Sequence, residues 1–306
     1  MALSEAFGFE ERWLRLLIKA TNEDPLVLSQ ARLGNSDGMA DAQHVLGGIG
    51  NRQVFALRDW AKAIGVIGSS EGGGLGLTPF GEMLRSYDPG LEELDTFWAI
   101  HHRLCVQKDI WFYAHYASAM PPGTFSRAEL KQCLSEGKET SNSVLEKKVL
   151  FPLFQTMKGT KLGVELGLLV PQGEDIYERR RPDERRLNQS VLAYVLVDWC
   201  RVRGRTTVHL NELTEWDAPG RYLGLESEQL AAMLRAIQDC FGGRVLTISR
   251  TAGLDSVALG ESLSPNLLLV SSYLRRLERL DEAEALRKAE LIASSEGSRG
   301  SGRLFE

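Results

Sequence analysis

The stretch "GIGNRQVFALRDWAKAIGVIG", residues 48–68, decides how the N-terminal part of this chain folds. Gly47, Gly48 and Gly50 crowd into a tight turn, and Asn51 stands where a helix cap belongs. Val54, Leu57, Ala61 and Ile64 then recur at helical spacing, with Phe55 and Trp60 adding bulk beside them. Gly65 ends the helix. The continuation "VIGSSEGGGLGLTPFGEML", residues 66–84, reads as strand, glycine-rich turn and strand, with Pro79 and Gly81 opening another helix. Just upstream, Asp41 is placed to cap a short helix running to Leu46. Helix, turn, helix and hairpin form the pattern of a winged helix, a class that often binds DNA.

Working outward, Phe9, Trp13, Leu16, Leu17 and Ala20 share one face and predict a helix over residues 5–20, stopped before Pro25. A loop rich in Gly, Asn and Asp follows. Downstream, Phe97, Trp98, Trp111, Phe112, Tyr113 and Tyr116 crowd a helical region that Pro121, Pro122 and Gly123 close. Their positions cover the inward face of long helices, so they are read as core rather than as a base-stacking platform.

The order helix, helix, hairpin returns twice. "TFSRAELKQCL" opens a helix with Ser126 as cap and Glu129 completing a capping box. "SNSVLEKKVLFPLFQTM" is a second helix, capped by Ser141 or Ser143 and kinked by Pro152. Two short strands around Gln172 and Gly173 make the hairpin. In the last unit, helices at "QSVLAYVLVDWCRVRG" and "ESEQLAAMLRAIQDCFGG" flank a short strand at "TTVHL". The hairpin "RVLTISRTAGLDSVALG" turns at Gly253. One amphipathic helix, "NLLLVSSYLRRLERLDEAEALRKAEL", closes the unit. The fold expected is mainly α (α+β), with about three tandem winged-helix-like helix–helix–hairpin units and helical linkers. Its divisions are 1–120 with an aromatic helical extension, 121–187, 188–292 with the C-terminal helix, and a disordered tail over 293–306.

The chain's 306 residues carry a net charge of −5, with 43% hydrophobic and 25% charged residues. That balance argues against a basic coat but leaves room for local basic patches. Cys105, Cys133, Cys200 and Cys240 form no C-x-x-C pair and read as reduced thiols. The acidic start lacks the features of a signal peptide, and no run approaches the roughly 18 apolar residues of a membrane span. A cytoplasmic protein without membrane partners is expected.

The basic candidates sit on predicted elements. Asn51, Arg52, Arg58 and Lys62 lie on the first unit's second helix, with Arg52 at the N-terminal end, where recognition helices meet bases. Lys147 and Lys148 lie on the second unit's helix beside Glu146. Arg179, Arg180, Arg181, Arg185 and Arg186 lie in "YERRRPDERR", placed like a wing running along a phosphate backbone. "RVRGR", with Arg201, Arg203 and Arg205, reads as a basic surface turn. His101, His102 and His115 have no i, i+4 pairing for a metal and read as core histidines. Glu10, Glu11, Asp59, Glu82, Asp175 and Asp183 are available carboxylates, but no strand presents a D…E-x-K set. There is no Walker A, Rossmann or nucleophile-elbow motif, so no nucleotide cofactor is expected.

These residues resemble a known family. "FGFEERWLRLLIKA", "RLGNSDGMADAQHVLGGIGNRQVFALRDWAKAIGVIG", "LTPFGEML" and "TFWAIHHRL…IWFYAHY" are similar to the domain-of-unknown-function family encoded beside DNA phosphorothioation genes, whose best-known member class is the SspB component. The resemblance is clearest over residues 7–120. It implies a DNA-nicking component of an antiviral modification and defence system, using Mg²⁺ or Mn²⁺. It also implies partnership with a cysteine desulfurase, an ATPase and an ATP-pyrophosphatase-like sulfur-transfer protein. Family members often carry a His-Glu pair after the first Phe. Here the pair is Glu10-Glu11, so only Glu11 carries over as a catalytic candidate. Two other classes fit the residues as well: a non-catalytic winged-helix adaptor that targets DNA, and a transcriptional regulator of such an operon.

Overall fold

The computed structural model describes residues 7–23, 43–44, 46–69, 75–107, 110–138, 141–183, 186–251, 254–260 and 263–297. Helix α1 (Glu11–Glu23) begins later than the apolar spacing implies. Phe9 precedes the helix, yet it is buried, and its N–H donates to Thr156 Oγ1 at 2.9 Å. A Cβ on Gly8 would lie 2.7 Å from the Pro152 carbonyl oxygen, so only glycine admits this close approach. The expected cap Asp41 lies outside the described residues.

Helix α2 (Asn51–Ile64) is capped by Gly50 rather than by Asn51, which is the first helical residue. Gly50 keeps an extended backbone, and its N–H donates to Gln53 Oε1 at 2.8 Å. Gly65 ends α2 at φ 75°. The buried surface of α2 is wider than one stripe: Phe55, Ala56, Trp60 and Ala63 join Val54, Leu57, Ala61 and Ile64. Strands β1 (Ile67–Ser69) and β2 (Leu75–Leu77) pair antiparallel, Ile67 opposite Leu77.

The "LTPFG" signature has a physical basis. Thr78 caps α3 (Pro79–Tyr87): its Oγ1 accepts from the Gly81 N–H at 3.1 Å and donates to the Gly65 carbonyl at 2.5 Å. A Cβ on Gly81 would lie 2.2 Å from the Val66 carbonyl oxygen. One Thr and one Gly thus clamp the hairpin to the helix that follows it.

Helices α4 (Leu94–Gln107) and α5 (Trp111–Ala119) carry the aromatic cluster. Phe97, Trp98, Phe112, Tyr113 and Tyr116 are buried in a continuous core, as their spacing predicts. Strand β3 (Gly123–Ser126) follows, where the sequence was read only as a helix start. Ser126 and Glu129 form the expected capping box on α6 (Arg127–Gly137).

The next helix is continuous but irregular: α7 (Asn142–Leu145), a π turn (Glu146–Leu150) and α8 (Phe151–Met157). Phe151 N–H donates to the Glu146 carbonyl, five residues back, and Pro152 beside it has no N–H to offer an α bond. Strands β4 (Val170–Gly173) and β5 (Ile176–Arg179) follow a second π turn (Lys161–Glu165). Gln172 and Gly173 belong to β4, and the turn falls at Glu174–Asp175, with Asp175 at φ 57°. β3 pairs with β5, giving the order β3-β5-β4.

The third sheet repeats that order. After α9 (Gln189–Val202), β6 (Thr207–His209) pairs with β8 (Leu254–Leu259), which also pairs with β7 (Leu246–Thr251). Helices α10 (Pro219–Leu223) and α11 (Ser227–Phe241) lie between β6 and the hairpin in sequence. Gly253, the expected turn residue, lies outside the described residues.

The single C-terminal helix of the sequence reading is two helices, α12 (Pro265–Glu278) and α13 (Glu282–Gly297). Arg279 breaks the run at φ 57°, and Asp281 restarts it by accepting from the Glu284 N–H at 2.8 Å. Residues 293–297, expected in a disordered tail, belong to α13; residues 298–306 lie outside the described ones. The architecture is mainly helical α+β with small antiparallel sheets. No helix among the described residues is long and apolar enough to cross a membrane.

Candidate nucleic-acid interface

The N-terminus of α2 presents Asn51 and Arg52 to solvent, while most of the helix behind them is buried. Arg58 and Lys62 are half-buried; the Arg58 guanidinium lies 5.1 Å from the Phe55 ring centroid. The accessible part of this helix is therefore its first turn, where backbone N–H groups and the helix dipole favour an anion.

Lys147 and Lys148 are both exposed on the π turn, and neither makes an ion pair among the described residues. Glu146 beside them does not offset their charge. It bonds Lys131 Nζ and Arg127 Nη2, each at 2.8 Å, and those contacts hold its carboxyl below the usual range. Lys147 lines a cleft of about 540 Å³ together with Arg127, Phe151, Phe154, Lys158 and Tyr177.

The arginine run separates on folding. Arg179 is 1% exposed, so it is withdrawn from the phosphate contact expected of it. Its Nη1 donates to the carbonyls of Ala117 (2.7 Å) and Met120, and its Nη2 to that of Tyr222 at 2.6 Å. These carbonyls belong to the C-terminal ends of α5 and α10, so the guanidinium meets the negative ends of two helix dipoles. Arg180 is exposed and pairs with Glu178 at 2.9 Å; Arg181 is exposed and pairs with Glu226. Arg186 donates to the Glu165 carbonyl at 2.8 Å. Arg185 lies outside the described residues. Of the other basic turn, Arg205 pairs with Glu212 and Arg203 lies 4.3 Å from the Trp199 centroid.

The histidines lie in the core, as expected for His101 and His102. The Tyr222 carbonyl can only accept, so His101 Nε2 donates to it at 3.0 Å and Nδ1 accepts from Tyr113 Oη at 2.9 Å. His102 repeats the arrangement with Asp198 Oδ2 and Tyr222 Oη, each at 2.8 Å. Burial pushes His101 down to about 3 and lowers His102, with the Asp198 hydrogen bond opposing the latter shift. Both rings are neutral, with one donor and one acceptor each satisfied. His115 is half-buried; its Nε2 lies 2.9 Å from the Cys133 carbonyl, and its ring packs against Trp216.

Glu11 is half-buried, and burial raises its pKa. Its Oε1 accepts from the Lys161 N–H at 2.7 Å, so it caps the second π turn from α1. Among the described residues no group of three or more His, Cys, Asp or Glu side chains converges to hold a metal ion.

Arg127, Phe151 and Lys158 were not singled out from sequence. Phe151 lies seven residues from Val144, on the helix face that also carries Lys147 and Lys148; Val144 is 39% and Phe151 50% exposed.

The profile of a family described as proteins of unknown function, DUF4007, matches residues 2–151 and 161–273. The chain belongs to the DUF4007 family. A crystal structure of magnesium-ion-bound SspB has a similar fold, with a TM-score of 0.69 at 20% sequence identity. The match covers 94% of this chain and 96% of that one. No curated protein matches the sequence.

Proposed function

We infer that this DUF4007 protein is a DNA-binding component of a bacterial phosphorothioation system. The observation that carries the reading is the exposed first turn of α2, where Asn51 and Arg52 face solvent and the helix behind them is mostly buried. A recognition helix meets base edges with those N-terminal residues.

Topology supports it. In both three-stranded sheets the first strand pairs with the third, and the second and third form a hairpin, which is how a winged helix is wired. We read residues 1–120, 121–187 and 188–292 as three such units. Lys147 and Lys148 supply further phosphate contacts, with Arg180 and Arg181 contributing as their surface pairs exchange carboxylate for phosphate.

A second reading, strand nicking with Mg²⁺ or Mn²⁺, draws on the fold shared with magnesium-bound SspB. Cysteine desulfurase, ATPase and sulfur-transfer partners come with the same resemblance. The test is supercoiled plasmid incubated with the purified protein and Mg²⁺, Mn²⁺ or EDTA, beside a gel shift across a salt series. A shift that fades with salt is expected. Conversion to open circle with metal alone adds nicking, and a shift without conversion leaves a targeting subunit. No shift at low salt overturns the DNA-binding reading.

A further inference from the structure

The cleft beside the π turn combines features that general backbone binding does not require. Its wall is aromatic. Phe154 and Tyr177 pack with centroids 5.1 Å apart, and Phe151 leaves half its surface in solvent. Its rim is cationic. The Arg127 guanidinium lies 5.3 Å from the Phe154 centroid, and Lys147 and Lys158 complete the edge. The one carboxylate in the lining, Glu146, is already bonded to Arg127 and Lys131.

The geometry has a mark in the sequence. Pro152 lies just beyond the π turn, a rare insertion that often accompanies functional sites. Lys147 and Phe151, the one within that turn and the other closing it, line the same cleft. Covering the exposed phenyl ring would gain apolar burial. An apolar peptide would leave Lys147 and Lys158 without partners. An unpaired nucleobase satisfies both sets: its π face stacks on the rings, and its flanking phosphates meet the cations. The volume of about 540 Å³ falls within the roughly 300–1,000 Å³ of small-ligand sites.

We propose that this cleft holds a single unpaired base of a DNA strand, stacked on Phe151 and Phe154, with Lys147 and Lys158 on the adjoining phosphates. The proposal rests on the DNA-binding reading and adds a preference for DNA with a base out of the helix.

The test uses the full chain and two matched duplexes, one fully paired and one with a single unpaired 5-iodouracil. Affinity is measured by anisotropy, and photo-crosslinks are mapped by mass spectrometry. The unpaired duplex should bind about tenfold tighter, and the crosslink should fall on Phe151, Phe154 or Tyr177. Phe151→Ala, at an exposed position, should keep its thermal melt and bring the affinity ratio near one. Arg52→Ala should weaken both duplexes and keep the ratio. Equal affinity for the two duplexes, or a crosslink elsewhere, overturns the cleft while DNA binding stands. No binding to either duplex overturns both. If Phe151→Ala leaves DNA binding unchanged but dissociates a self-associated protein, the cleft is a protein interface and the proposal falls.

Discussion

At the scale of single residues, Arg179 shows how a side chain's role depends on what it faces. Along β5, Ile176 is exposed, Tyr177 buried, Glu178 half-buried and Arg179 buried. The alternation has strand period, but it runs against hydropathy, with an isoleucine outside and an arginine inside. Five arginines in "YERRRPDERR" look alike in sequence. Which one is buried depends on the phase of the strand and on two helix ends that arrive from residues 117–120 and 222. Arg179→Met should lower stability by about 2–4 kcal/mol in urea unfolding: the buried Ala117 and Met120 carbonyls lose this donor while Tyr222 keeps its bond from His101, an effect offset in part by the guanidinium's own desolvation. DNA affinity per folded molecule should not change. An unchanged unfolding midpoint with weakened DNA binding would return Arg179 to the interface.

The buried histidines make a second residue-scale prediction. His101 is held at about 3, below its ordinary 6.5, because burial penalises the charged ring. The unfolded chain therefore binds a proton between pH 6.5 and 3 that the folded chain refuses. The stability from its neutral burial is complete above pH 6.5 and falls as pH drops toward 3, by up to about 1.4 kcal/mol per unit. His102, also lowered by burial, adds in the same direction. Asp95, raised by burial, acts in the opposite direction. With the histidines dominant, denaturation midpoints should fall as pH drops from 6.5 to 5. A flat profile there would mean that the histidines are solvated.

At the scale of elements, legibility followed locality. The α2–hairpin–α3 unit was readable because its determinants are neighbours in sequence: Gly65 ends a helix, and Thr78, Pro79 and Gly81 begin one. Strand β3 was not readable. Four residues carry too little periodicity, and the strand exists because β5, about fifty residues on, pairs with it, Gly123 opposite Arg179. The break between α12 and α13 had a local mark, the D-x-x-E box at Asp281 and Glu284, masked by apolar spacing that continues across it. The clamp at Gly81 yields the sharpest element-scale prediction. Gly81→Ala puts a methyl group 2.2 Å from a backbone oxygen that cannot withdraw without breaking the hairpin's tie to α3. It should cost about 1–3 kcal/mol, read as a lowered melting midpoint. A wild-type midpoint would mean that the hairpin is held by other contacts.

At the scale of the whole molecule, the segment at residues 7–11 joins parts far apart in sequence. Trp60 Nε1 of α2 donates to the Phe7 carbonyl at 2.9 Å, Phe9 N–H donates to Thr156 of α8, and Glu11 caps the turn at Lys161. The first basic helix and the Lys147–Phe151 helix are thereby tied to one short strip. The charge pattern sets what this arrangement does in salt. With a net charge of −5 the protein as a whole repels DNA, so the proposed binding would fall to local clusters at Asn51–Arg52 and Lys147–Lys148. Each phosphate contact releases counterions, so log affinity against log salt should fall with a slope of about −0.9 per contact on duplex DNA. Arg52→Ala and Lys147→Ala should each flatten that slope by about one contact, and the double variant by about two where the two contacts act independently. A double variant no flatter than either single one would mean that the two clusters never engage the same duplex. DNA would then cross only one of the helices that the N-terminal strip holds together.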